Sequence, residues 1–271
     1  GAGCEPEGST TTFGAWRNRI IFVTDDQDGN NNDGWRHMSD SEVHSNRVAQ
    51  DHSEYDIIKI YPDSYLQEAT PGGERYDEAE AEIDRKVEEG ALIIDYIGHG
   101  GERGWAHERI LNTTTIREWT NKKRLPVFMT ATCELSRYDD PEVESAGEML
   151  VFNPDGGSVG MLTTTRTVFS GGNQELNTAF FQTVLDEDSG TSQARCLGDI
   201  CKDTKNSPLV TSVTNMRNFS LLGDPAILLA YPKHSIYITE VPDTIRSLDH
   251  VIMKGYVGTD SGDTLQGFNG F

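Results

Sequence analysis

"ALIIDYIGHGGERGW", residues 91–105, decides how the rest of the chain is read. Leu92, Ile93, Ile94 and Ile97 form a short apolar run of the kind found in the middle of a parallel sheet, where both faces of a strand are covered. The run ends in His99, set among Gly98, Gly100 and Gly101. With side chains removed on both sides, backbone N–H groups can come close to a ligand. A tight polar turn at the carboxyl end of a buried strand is where an α/β sheet carries its sites.

The same unit recurs on both sides of this stretch. Upstream, "RNRIIFVTDD" (17–26) reads as a strand ending in Asp25 and Asp26, and "YDIIKIYP" (55–62) as a second strand. A helix is expected around Ser39 to Asp51. Another fills 74–90, with Ile83 and Val87 on one face and Gly90 as its stop. Downstream, a helix near Thr113 to Asn121 leads to the strand "RLPVFMTATC" (124–133). A short helix "SAGEMLVFN" (145–153) and the strand "GGSVGMLTTTR" (156–166) follow, then helices near 174–187 and 192–204, and "NFSLLGDPAILLAYP" (218–232) closes the unit. Strands alternating with helices predict an α/β fold with a doubly wound, mostly parallel sheet flanked by helices, over residues 1–232. From 233 to 271 the pattern changes to alternating strands with turn glycines, read as the truncated beginning of an Ig-like β-sandwich.

Composition narrows the function. The 271 residues are 35% hydrophobic, enough for a full core, and carry a formal net charge of −21. Such a chain repels a duplex or an anionic membrane surface, so no nucleic-acid partner is expected. No apolar run reaches the roughly 18 residues needed to span a bilayer, and no signal peptide is visible. The abrupt start, "GAGCEPEGSTTTFG", reads as though an upstream part had been removed. Cys4, Cys133, Cys196 and Cys201 fit no paired zinc spacing. Cys196 and Cys201, five apart in a helical stretch, lie on different faces and are not expected to pair.

His99 and Cys133, 34 residues apart, end neighbouring strands with one crossover helix between them. Adjacent parallel strands lie about 4.8 Å apart, so their tips can share one substrate carbonyl. A cysteine beside a histidine base attacks as a thiolate. The amides of Gly100 and Cys133 can then supply an oxyanion hole. Taken singly, each residue has a plainer explanation. A lone cysteine after an apolar strand is usually a small core residue, and a histidine in a glycine-rich turn can bind phosphate or only make backbone hydrogen bonds. It is the pairing at matching positions that raises the chemical reading.

"YIGHGG" (96–101) and "MTATCELSRYDDP" (129–141) resemble the His-Gly and Ala-Thr-Cys motifs of the gingipain-type (C25) cysteine peptidases, which share the caspase-like fold. "SVGMLTTTRTVFS" (158–170), "LLGDPAILL" (221–229) and the tail "IMKGYVGTDSGDTLQGFNG" (252–270) are similar to the sortase branch of that family, which serves the bacterial type IX secretion system. The resemblance covers nearly the whole chain. It implies Cys133 as nucleophile and His99 as base of a cell-surface, outer-membrane-associated transpeptidase. Such an enzyme cleaves the C-terminal signal domains of secreted cargo proteins through a thioester, and an amine on a lipopolysaccharide acceptor resolves that thioester. Outer-membrane attachment-complex proteins are its implied partners, and family members longer than this chain make it a catalytic fragment.

Other residues leave alternatives open. "DDQDGNNND" (25–33) has the content of a calcium loop, but the twelfth position from Asp26 is His37 rather than the glutamate of an EF-hand. It is expected to border the substrate cleft, with Asp26 facing the substrate. No metal ligand is assigned and no cofactor is required, although a structural calcium is compatible with the family. Thr164 and Arg166 are expected to line the pocket for the residue before the cleaved bond, where Arg166 disfavours a basic side chain. Ordinary strand-end polarity explains them equally well. With no acid matched to His99, a Cys133–His99 dyad is expected. The rivals are plain hydrolysis without transfer, a non-catalytic scaffold, and a calcium-dependent binding module.

Overall fold

The strand that carries His99 is the centre of the sheet. The computed structural model describes residues 14–27, 33–185, 195–232, 234–248, 250–259 and 261–266. Cys4 with the chain start, residues 28–32 of the acidic loop, the expected helix ends at 186–187 and 192–194, and the tail from 267 lie outside the described residues.

Six strands form the main sheet: β1 (Arg19–Thr24), β2 (Asp56–Ile60), β3 (Ile93–Ile97), β4 (Val127–Ala131), β5 (Gly160–Thr164) and β6 (Phe219–Gly223). Their spatial order is β6-β5-β4-β3-β1-β2. β1 to β5 pair in parallel, while β6 lies antiparallel to β5 at the edge. All five residues of β3, of β4 and of β5 are buried, as the unbroken apolar runs require.

Alternation along each strand sends successive side chains to opposite faces. On one face Ile21, Val23, Ile94, Tyr96, Phe128 and Met161 join a core with Ile83 and Val87 of α2 (Asp77–Glu89), Ile116 of α3 (Thr113–Glu118) and Leu150 of α4 (Ala146–Phe152). The other face is covered by α1 (Arg36–Asp51) and α5 (Ser170–Leu185), where Phe22 meets Phe181 with ring centroids 5.1 Å apart. Each fully buried Ile or Leu contributes about 1.5–3 kcal/mol. α6 (Leu197–Asn206) packs on α5, and the short α7 (Val213–Asn218) leads into β6.

Local chemistry sets the helix ends. The Asn112 side chain accepts hydrogen bonds from Thr114 and Thr115 N–H, starting α3. Ser145 and Glu148 form a reciprocal capping box on α4. Gly90, at φ 84°, closes α2.

α1 is the helix whose inward face hydropathy would not choose. Its buried residues are His37, Asp40, Ser41, His44, Ser45 and Val48, while Val43 is exposed. A polar stripe is therefore packed against the site end of the sheet.

The described residues divide into two compact units, one ending at Ala230 and the other beginning at Tyr231. In the second, β7 (Ser235–Glu240) and β8 (Lys254–Gly258) pair antiparallel, with Tyr237 stacked on Tyr256. No helix among the described residues is long and apolar enough to cross a membrane.

Candidate active site

β3 and β4 run in register, with Ile97 opposite Ala131, and Gly98 N–H extends the ladder to Ala131 O. His99 and Cys133 each stand two residues beyond that pair, so they occupy equivalent positions at neighbouring strand tips. No hydrogen bond joins the thiol to the imidazole. Each is held by something else.

His99 is held on three sides. Its backbone N–H donates to Asp25 Oδ2 at 2.8 Å, its carbonyl accepts from Tyr96 OH at 2.6 Å, and its ring Nε2 lies 2.7 Å from Asp33 Oδ2. Tyr96 is itself fixed by stacking on Trp105, centroids 4.3 Å apart. Gly98 makes this possible, since a Cβ there would overlap the Tyr96 hydroxyl and meet Asp25 Cβ at 2.5 Å. Its first role is thus to admit Asp25 and Tyr96 beneath the histidine loop.

Asp33 is the residue that sequence reading missed. Burial acts against its charge, but the hydrogen bond with His99 and the charges of His37 and His99 prevail, holding its carboxyl below the usual range. An ionised Asp33 on Nε2 favours the tautomer with the proton on Nε2, leaving the Nδ1 lone pair to act as base. His99 therefore has an acid partner, and the expected two-residue site becomes a Cys133–His99–Asp33 arrangement. Its only trace in the sequence is that Asp33 closes the acidic stretch three residues before α1 begins at Arg36.

Cys133 is half-buried, and its Sγ contacts the backbone N–H and carbonyl of Val168 at 3.5 and 3.6 Å. The Val168 loop is fixed by buried Asn215, whose amide donates to Phe169 O at 2.8 Å and accepts from Phe169 N–H at 3.2 Å. Directly after the cysteine, Glu134 turns the chain with φ 55°. A left-handed glutamate is uncommon, and such conformations gather at functional turns. Cys133 N–H makes no hydrogen bond among the described residues. Gly100 N–H points away from its hairpin partner: Ala106 N–H bonds His99 O, so the next pair, Gly100 with Trp105, is a non-hydrogen-bonded one. A Cβ on Gly100 would meet Thr132 Oγ1 at 2.6 Å, so this turn also depends on glycine.

The expected pocket residues fare differently. Asp26 is 8% exposed and accepts from Tyr76 OH at 2.9 Å, so it faces the core rather than an open cleft. Thr164 is fully buried and donates to Thr132 O, tying the ends of β4 and β5 together. Buried polar side chains at strand ends take hydrogen-bond partners within the fold, a side-chain hydroxyl for Asp26 and a backbone carbonyl for Thr164. Arg166 is exposed, but it is bidentate to Asp139 at 3.0 and 2.6 Å, which cancels the repulsion expected toward a basic substrate residue.

Among the described residues, two groups could hold a cation. One ligand atom each of Asp25, Asp26 and Glu108 lies within 4.8 Å of the others, as for Asp25, His37 and His99. The first set, all oxygen, suits a hard ion such as calcium. Burial first, then the charges of Asp26 and Glu108, push the Asp25 carboxyl up to about 8 against the hydrogen bond from His99. The other described cysteines, Cys196 and Cys201, are free.

A histidine with a carboxylate partner and a cysteine at matching tips of a parallel sheet define the cysteine-peptidase class of site. The profile of Peptidase family C25 matches residues 5–230, and the chain belongs to that family. Among solved structures it is similar to the Arg-specific cysteine proteinase gingipain R, with a TM-score of 0.64 and 17% identity over 84% of this chain and 52% of that one. The complex of pro- and mature domains of RgpB from Porphyromonas gingivalis gives 0.64 and 16% over 84% and 53%. A structure described only as a protease gives 0.58 and 13% over 89% and 55%. The chain thus spans about half the length of these proteins, with the α/β fold expected from the gingipain resemblance. A search among curated proteins returns no match.

Proposed function

We propose that this chain is the catalytic part of a PorU-like cell-surface peptidase and sortase. The observation that carries the catalytic reading is the register-matched pair of tips, with His99 oriented through Nε2 by Asp33. His99 Nδ1 takes the proton from Cys133, and the thiolate attacks the scissile carbonyl. Gly100 and Cys133 N–H receive the oxyanion, and His99 returns its proton to the departing amine. Asp33 acts on His99 and touches no reacting atom. The resulting thioester is opened by an amine of a lipopolysaccharide acceptor, or by water in the hydrolytic alternative.

The sortase half rests on the sequence motifs after β4 and in the tail. It makes the C-terminal signal domains of cargo the donors and outer-membrane attachment-complex proteins the partners. Calcium at the Asp25, Asp26 and Glu108 carboxylates belongs to the same proposal. The test is labelling with a peptidyl electrophile, mapped by mass spectrometry on the native chain and on His99→Ala. Selective modification of Cys133 that disappears in His99→Ala is expected. Equal labelling of Cys133, Cys196 and Cys201 would sink the catalytic reading. With labelling secured, adding a primary amine to a peptide substrate separates the two fates: an amide-linked product marks transfer, and its absence leaves hydrolysis.

A further inference from the structure

His37 stands in the first turn of α1, 5% exposed, and its Nδ1 makes no hydrogen bond among the described residues. Its Nε2 lies 3.2 Å from Asp33 Oδ2, and its ring meets that of His99 edge-on with centroids 5.1 Å apart. A buried polar group left without a hydrogen bond asks for a reason. Ligand atoms of Asp25, His37 and His99 lie within 4.8 Å of one another.

We propose that Asp25, His37 and His99 form a mixed nitrogen–oxygen site for a transition-metal ion of the zinc class, and that filling it withdraws His99 from proton transfer. Two imidazoles and a carboxylate are a donor set that zinc accepts, leaving a fourth position open. It differs from the neighbouring all-oxygen group, which shares Asp25 and suits calcium. Binding needs no oxidant. The imidazoles give lone pairs, and any proton held by Asp25 leaves to solvent as the metal binds. Asp25 Oδ2 and Oδ1 already accept from His99 and Asp26 N–H, and each keeps a second lone pair. On His99, a metal at Nδ1 takes the lone pair meant for the thiol proton. A metal at Nε2 moves the ring proton to Nδ1, with the same result.

The braking clause rests on the reading of His99 as base, whereas the binding clause does not. Binding is therefore measured on the Cys133→Ala chain, by calorimetric titration with Zn²⁺ alone and by melting temperature. One equivalent with a dissociation constant of micromolar order or tighter is expected, with a rise in melting temperature. His37→Ala and, independently, Asp25→Asn should each weaken it at least tenfold, while His107→Ala, whose ring stacks on His99 at 5.6 Å, should not. Circular dichroism checks that each variant folds. Absence of binding, equal binding by both ligand variants, or Ca²⁺ binding as tightly as Zn²⁺ would overturn the site. In the native chain, Zn²⁺ should slow Cys133 labelling at least tenfold, a chelator should restore it, and His37→Ala should escape. Equal zinc inhibition of His37→Ala would place the metal on the Cys133 thiol and overturn the proposal. Failure of Cys133 to label even without zinc would sink the peptidase reading and the braking clause, while zinc binding by Cys133→Ala still decides the site.

Discussion

The two strand tips proposed to carry the chemistry are built in opposite ways. The β3 tip is crowded: His99 is held through its amide, its carbonyl and its ring by Asp25, Tyr96 and Asp33. At the β4 tip, Cys133 has only long sulfur contacts to Val168 backbone and a strained Glu134 behind it. A base must keep one tautomer and one orientation, so it needs strong partners. A nucleophile must move onto a carbonyl, so weak contacts serve it better.

The contrast breaks most sharply at the thiol. Cys133→Ala should lower peptide cleavage by more than about 10³-fold and abolish electrophile labelling, while Cys196→Ala and Cys201→Ala stay within about twofold of the native rate. A comparable loss from either control would move the nucleophile away from β4.

Asp33→Asn tests the crowded tip. It keeps the shape but removes the charge that fixes the tautomer. A fall in kcat of roughly 10²- to 10⁴-fold with little change in KM is expected, as for other acids that orient a histidine. A change in KM alone would make Asp33 a substrate contact.

A third test concerns acids buried near the sheet. Burial pushes the Asp25 and Asp95 carboxyls up to about 8, against hydrogen bonds from His99 N–H and Asn177 respectively. Both therefore stay protonated in the folded chain while ionised in the unfolded one. Their contribution is full below about pH 4 and is lost as pH rises toward 8, at roughly 1.4 kcal/mol per pH unit for each group. Burial holds His44 down near 4, so it works the other way, costing stability as pH falls from about 6.5 to 4. Melting temperature should therefore decline most steeply between about pH 6.5 and 8, where nothing from His44 opposes the acids. Asp95→Asn should flatten that decline. An unchanged slope would mean that Asp95 is ionised in the fold.

Much of the scaffold could be read from residues alone. Short apolar runs located β1 to β5, and the spacing of Ile83 and Val87 located α2. The direction of β6 could not be read, because a five-residue apolar run looks the same whichever way it enters a sheet edge. Nor could the inward face of α1, whose buried residues are polar and whose exposed Val43 points outward. In the site, His99 and Cys133 stood out because each ends an apolar run. Asp33 did not, since an acid in an Asp/Asn/Gly loop reaches a histidine 66 residues away only through the path the loop takes. The partners of Asp26 and Thr164 could not be read for the converse reason. Proximity to a strand end is visible in sequence, but the partner that captures the side chain is not.

Asn215 sharpens the comparison at the loose tip. Its amide bonds both backbone groups of Phe169 and also Asn173 Oδ1 at 2.9 Å, so the Val168 loop beside the thiol is positioned from α7. Asn215→Ala leaves those groups unpaired and should cost about 1–3 kcal/mol in chemical denaturation. It should also raise KM more than it lowers kcat, because it loosens a wall of the site and leaves the base untouched.

The smallest effect is expected at the surface pair of Arg166 and Asp139, both open to solvent screening. Asp139→Ala should leave the melting temperature unchanged while freeing the guanidinium. If Arg166 faces the substrate, cleavage after an acidic residue should rise several-fold and cleavage after a basic one should fall, and Arg166→Ala should cancel both shifts. Should neither variant alter selectivity, the pair is a clasp between the segment after Cys133 and the loop after β5, and specificity lies with the apolar neighbours. Exposed Tyr138 and Phe169 flank that clasp in sequence, so they are the next residues whose replacement would show which tip reads the substrate.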